Sequence, residues 1–188
     1  MKKQVKNFKQ YLKQNYINII IKILLIAIVI VADLLTKGFF EDKSGKVEFI
    51  PGFIYFTFVK NTGAAFGIFP NGSGWLVVFS VVFLLVFVLY DIGNKEQNWW
   101  SHTGFALIFA GAIGNMVDRL ALGYVRDFIA LDFMEFPVFN VADISVTIGC
   151  VLYIIYLITY IFDIRKRKKT KISIKNKTKD NDNTSAEI

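Results

Sequence analysis

Cysteine and histidine are each present once in the 188 residues, as Cys150 and His102. A lone cysteine excludes an internal disulfide framework, and one histidine with one cysteine cannot build a metal site of the zinc type. His102 also has no serine neighbours in a triad-like arrangement, and it reads as an interfacial loop residue. Cys150, inside an apolar run, reads as a small core residue. Two other patterns are missing: Asp-Thr/Ser-Gly, which a pepsin-like protease needs, and Gly-x-Gly-Asp, which would partner Tyr90-Asp91 in a presenilin-like one. Charge is missing altogether between Ile68 and Tyr90.

What is abundant is apolar. Hydrophobic residues make up 54%, aromatics 16%, and mean hydropathy is +0.46, which is too apolar for an ordinary soluble domain of this length. A membrane-spanning helix needs roughly 20 such residues to cross a hydrocarbon layer about 30 Å thick. Four segments qualify, at about 16–37, 68–90, 102–120 and 141–162. Lys22 interrupts the first and is expected to snorkel. Asp33 near its far end, with no small-x-small pattern following, argues against a cleaved signal peptide.

Net charge is +7, yet the basic residues gather at the two ends, in Lys2, Lys3, Lys6, Lys9 and Lys13 and in Arg165 to Lys169. That pattern speaks for membrane orientation, with both termini cytoplasmic, and against nucleic acid. With four spans, Asp33, Asp118, Asp127 and Asp143 all fall at the outer side. The segment 45–67, where Phe49, Phe53, Tyr55, Phe56 and Phe58 alternate with Gly, Pro and Lys, reads as short interfacial strands and turns. Residues 1–167 form one membrane domain by this reading. Residues 168–188 are too polar to fold and are expected as a disordered basic tail.

Ionisable groups at membrane depth are costly and mark function or packing. Asp33 and Lys37 are four apart on one helical face, so an ion pair is as good an account of Lys37 as chemistry. In Gly111 to Arg119 the small residues suit close helix contact, while Asn115, Asp118 and Arg119 share a face and read as scaffolding. Asn61-Thr62-Gly63-Ala64-Ala65-Phe66 is either a turn or an amide presented to an extended substrate. Asn140 is either an N-cap or a group that orients a carboxylate. Asp127 and Asp143 lie within one short loop of each other. Two carboxylates sharing a site do not both ionise easily, so one retains a proton while the other activates water.

Together Asp33-Leu34-Leu35-Thr36-Lys37, Asn61 to Phe66, Gly111 to Arg119, Val125-Arg126-Asp127-Phe128 and Phe139 to Asp143 resemble the lipoprotein signal peptidase (signal peptidase II) family, in the family's order. The resemblance implies an α-helical integral membrane protein with four transmembrane helices, a small extracytoplasmic β-cradle between the first two, and a lid-like stretch before the fourth. It implies an aspartic endopeptidase that cuts bacterial prolipoproteins before a diacylglyceryl-modified cysteine and is inhibited by globomycin. Asp127 and Asp143 match the catalytic pair; Asp33, Lys37, Asn61, Asn115, Asp118, Arg119 and Asn140 match the polar shell, and Gly63 lies in the shell's Asn61 motif. No metal or cofactor is expected. The partners are prolipoproteins and membrane lipids, and the chain is expected to act as a monomer. Arg126 departs from the family, which usually carries an apolar residue there, and is expected to face lipid headgroups. A transporter is the rival from another class, but it predicts charges near mid-membrane rather than at one surface.

Overall fold

The computed structural model describes residues 2–41, 43, 45–63, 72–94 and 96–185; side chains are described from 16 to 170. Its elements are α1 (Lys2–Phe40), β1 (Val47–Ile50), β2 (Ile54–Asn61), α2 (Ser73–Gly93), α3 (Trp99–Leu122), β3 (Val125–Leu131) and α4 (Val141–Ser185). Four helical stretches, Tyr16–Phe40, Ser73–Gly93, Trp99–Leu122 and Val141–Thr170, are long and apolar enough to cross a membrane. The chain is a multi-pass membrane protein.

Burial is inverted relative to a water-soluble protein. Ile28, Leu35, Phe79, Leu89 and Phe162 are exposed, whereas Asp33, Lys37, Asp118, Asp127 and Asn140 are buried. Lipid is as apolar as leucine, so it gives apolar side chains no reason to turn inward. The polar groups have that reason. Cys150 follows the same logic: it is exposed on α4, not a core residue.

α3 is central and packs on α1, α2 and α4. Its close packing on α4 depends on side chains too small to intervene. A Cβ on Gly104 would come within 3.0 Å of the Gly149 carbonyl oxygen, and one on Gly149 within 2.8 Å of the Ile108 nitrogen. The helix starts at Trp99, ahead of the expected boundary, because Asn98 and Ser101 form a reciprocal capping box. His102 therefore lies in the first turn of α3, half-buried, and not in a loop. Gly123, with φ 80°, ends the helix and turns the chain directly into β3.

The small sheet has antiparallel order β1-β2-β3. Its third strand comes from between α3 and α4, where a loop was expected. Phe128 stacks on Phe40 with ring centroids 4.7 Å apart, which seats the sheet on the end of α1. The lid-like stretch is anchored where Phe139 bridges Ile129, its carbonyl accepting from the N–H groups of both Phe128 and Ile129.

Three further expectations change. α2 begins at Ser73 rather than 68, and Ala64, Ala65 and Phe66 of the Asn61 motif lie outside the described residues. α4 continues as helical backbone to Ser185 where a disordered tail was expected from 168. No proline or glycine follows Gly149 to stop it, and lysine is a good helix former. Lys22 does not snorkel; its Nζ meets Asp91 at 2.6 Å in a buried pair joining α1 to α2.

Candidate active site

Asp127 sits on β3 opposite Val59 of β2, and Asn61 sits opposite Val125. The two are therefore diagonal neighbours on one face of the sheet. Asn61 Nδ2 donates to Asp127 Oδ2 at 2.9 Å, while its Oδ1 accepts from the Gly63 N–H at 3.0 Å. Asn61 is thus both the turn residue and a carboxylate partner. The Phe139–Ile129 bridge brings the next residue, Asn140, alongside Asp127, and Asn140 Nδ2 donates to Asp127 Oδ1 at 2.6 Å.

Asn140 also caps α4. Its Oδ1 accepts from the Asp143 N–H at 2.9 Å, and Asp143 Oδ2 accepts from the Asn140 N–H at 3.1 Å. This reciprocal box fixes the Asp143 carboxylate at the start of the helix, where the helix dipole favours negative charge. Asp143 Oδ1 accepts from Asn115 Nδ2 at 2.8 Å. Cap and orienting group, the two roles open for Asn140, are filled by one side chain.

Beneath the two aspartates lies a layer of buried charge. Lys37 is 0% exposed. Its Nζ reaches Asp33 at 2.7 Å, Asn115 Oδ1 at 3.0 Å and Asp118 at 3.4 Å. Asp33 Oδ1 in turn accepts from the Ala142 N–H at 2.8 Å, tying α1 to the first turn of α4. Gly114 makes room for it, since a Cβ there would lie 2.6 Å from Asp33 Oδ2. Arg119 donates to the carbonyls of Gly63 and Asn115 at 3.0 and 3.3 Å. Asp118 does not pair with its neighbour Arg119.

Its partner is Arg126, which does not face headgroups. Strand alternation does turn Arg126 away from Asp127, but on that side it finds Asp118 at 2.7 Å and Glu41 at 2.8 Å. Arg126 and Glu41 are the members of the charged network that sequence reasoning missed. Asp118 lies eight residues before Arg126, across the turn out of α3, and Glu41 lies 85 residues before it, so neither spacing is a helical or strand repeat that would mark the contact.

Asp127 is 2% exposed. Burial, reinforced by the Asp143 charge, pushes its carboxyl up to about 6 against the pull of Asn61, Asn140 and Lys37. Asp127, Asp143, Asn61, Asn115 and Arg119 line an open cavity of about 930 Å³. Its remaining wall is largely apolar, with Val59 from the sheet, Phe136 and Val138 from the lid-like stretch, and Ile144 and Ile148 from α4. The arrangement places two carboxylates, carboxamide donors and a guanidinium beside an apolar trough. It suits hydrolysis of a bond carried by an amphipathic chain. Among the described residues, no group of three or more His, Cys, Asp or Glu side chains is arranged to hold a metal ion.

The chain is similar to known proteins. A lipoprotein signal peptidase of Lactobacillus johnsonii is 40% identical over 137 residues, covering 70% of this chain and 87% of that protein. One from Enterococcus faecalis is 42% identical over 111 residues, covering 59% and 69%. A solved bacterial membrane enzyme structure superposes with a TM-score of 0.70 at 35% identity, covering 73% of this chain and 87% of the other. The family model described as signal peptidase (SPase) II matches residues 25–159, so the chain belongs to the signal peptidase II family, a family of aspartic peptidases.

Proposed function

We propose that this enzyme removes signal peptides from diacylglyceryl-modified bacterial prolipoproteins, cutting before the lipidated cysteine, with Asp127 and Asp143 as the catalytic pair. The observation that carries the reading is that Asn140 bonds both aspartates beside one cavity. In this mechanism one carboxyl of the pair carries a proton while the other is ionised. The ionised member takes a proton from water as it attacks the scissile carbonyl. The protonated member polarises that carbonyl and then passes its proton to the leaving amine.

The other residues support the pair. Asn61, Asn115 and Asn140 hold the carboxylates in position, Lys37 balances Asp33 and Asp118, and Arg119 and Gly63 shape the cleft where the substrate backbone lies. The apolar trough takes the greasy part of the substrate, so precursor and enzyme meet by diffusion within the bilayer. The names of the relatives support prolipoprotein as substrate. The basic ends support cytoplasmic termini and an active site at the extracytoplasmic face. The working unit in this reading is a monomer of residues 1–167 with a basic tail outside the catalytic domain, inhibited by globomycin.

The test is cleavage of a diacylglyceryl-modified precursor in bilayer discs by wild type, Asp127→Asn and Asp143→Asn. Asparagine keeps shape and removes acid and base function, so both variants are expected to fold and to lose cleavage. Near wild-type turnover in either folded variant would falsify the pair.

A further inference from the structure

Arg126 makes more contacts with the buried charge layer than its position at the rim requires. Its Nη2 donates to Asp118 Oδ1 at 2.7 Å, its Nε to Asp118 Oδ2 at 3.3 Å, and its backbone N–H to the same Oδ2 at 3.0 Å. Its Nη1 reaches Glu41 at 2.8 Å. One buried carboxylate thus grips both the side chain and the backbone of the residue directly before Asp127. A planar guanidinium suits this two-oxygen grip, and a lysine does not.

The same Asp118 is also within reach of Lys37. Lys37 is shared among Asp33, Asn115 and Asp118, and Asp118 is its longest contact at 3.4 Å. Asp118 has its charge met by Arg126, while Lys37 lies close to Asn115, whose amide holds Asp143. In the buried layer Asp33 and Asp118 balance Lys37 and Arg126. Glu41 lies at the partly exposed edge of this set.

We propose that Arg126 is a positioning residue: through Asp118 it fixes the β3 backbone beside Asp127 and keeps Lys37 on Asn115, holding both aspartates in register. The proposal rests on the assignment of Asp127 and Asp143 as the catalytic pair. Removing Arg126 leaves an uncompensated carboxylate behind the pair. Lys37 then moves toward Asp118, Asn115 loosens, and the extra negative charge raises the affinity of Asp127 for its proton. The charged groups around Asp127 are Lys37 from α1, Arg119 from α3 and Asp143 from α4, while β2 brings neutral Asn61 and a Lys60 lying over the Tyr124 ring.

The experiment measures kcat and KM from pH 5 to 8 for the full chain in bilayer discs, using a diacylglyceryl-modified precursor peptide. The variants are Arg126→Gln, Arg126→Lys, Glu41→Gln and Asp127→Asn. Arg126→Gln is expected to lower kcat about tenfold with KM nearly unchanged, and to move the ascending pH limb upward by roughly one unit. Arg126→Lys restores the charge and returns the limb to its wild-type position with part of kcat. Glu41→Gln, at the partly exposed edge, moves the limb the opposite way by a fraction of a unit, and it decides the matter if Arg126→Gln does not fold. A limb unmoved in the folded variants overturns the proposal, as does equal loss of kcat in the Gln and Lys variants with no change of limb. An inactive Asp127→Asn beside an unaffected Arg126→Gln rejects this inference alone. An active Asp127→Asn rejects the catalytic pair itself.

Discussion

Asn140 donates to Asp127 across 2.6 Å while its carbonyl oxygen caps the helix that Asp143 opens. One side chain therefore sets the distance between the strand that carries one carboxylate and the helix that carries the other. Asn140→Ala removes both bonds. Loss of a helix cap is worth about 1 kcal/mol, whereas misplacing a reacting group lowers turnover by about a hundredfold. Thermal unfolding in detergent and a cleavage assay separate the two effects. A variant that lost stability and kept kcat would reduce Asn140 to a cap.

Lys37 is the sole described cation in contact with Asp33, and it also meets Asp118. Lys37→Met keeps the bulk but leaves Asp33 buried without a counter-charge. Stranding one side of a buried pair costs about 3–5 kcal/mol, so the variant is expected to melt at clearly lower temperature and to be inactive. Asp33→Asn combined with Lys37→Met is expected to regain much of the stability but not the activity. Unfolding and cleavage of the same preparations check both statements.

The raised carboxyl of Asp127 makes stability depend on pH. Its ordinary value is 3.8 and its folded value about 6, so between these the folded state holds the proton more tightly than the unfolded state. The contribution is fully present below pH 3.8 and is lost as pH rises through 6. At about 1.4 kcal/mol per tenfold change in affinity the whole effect is roughly 3 kcal/mol. Asp127→Asn is expected to flatten this part of the stability curve. Chemical unfolding of both proteins from pH 4 to 8 measures it.

Lys22 and Asp91 form a second buried pair, roughly 22 Å along α1 from Lys37 at the helical rise of about 1.5 Å per residue. Asp91 Oδ1 also accepts from Gln97 at 2.9 Å. Lys22→Met alone is expected to destabilise the bundle by about 3–5 kcal/mol, and Lys22→Met with Asp91→Leu to recover most of it. Cleavage per folded molecule stays at the wild-type value in the double variant. A double variant as unstable as the single one would mean that the pair's geometry, not its charge balance, holds α1 to α2.

Much of this was readable from the chain alone. The four apolar runs gave the spans, and Asp33, Lys37, Asn115, Asp118, Asp127, Asn140 and Asp143 drew notice as polar groups that a bilayer penalises. β3 was not legible, because Val125–Leu131 switches its buried face between Asp127 and Phe128 and so lacks strict alternation. Its partner strand lies more than sixty residues away. The destination of Arg126 was missed for a related reason. Strand geometry says that it turns from Asp127, but only the tertiary fold says that Asp118 waits there. Cys150 misled because an apolar neighbourhood means burial in water and carries no such meaning in lipid. The Asn98–Ser101 cap was visible and would have moved the start of α3 to Trp99.

Each described polar member of the site lies in α1, β2, α3, β3 or α4 or directly at the end of one of them, and α2 touches the rest mainly through α3 and the Lys22–Asp91 pair. Mutational drift is therefore least constrained along the lipid-facing side of α2. The same side is the place to attach a spectroscopic label or a tether, because what is fixed there reports on the enzyme without entering its cleft.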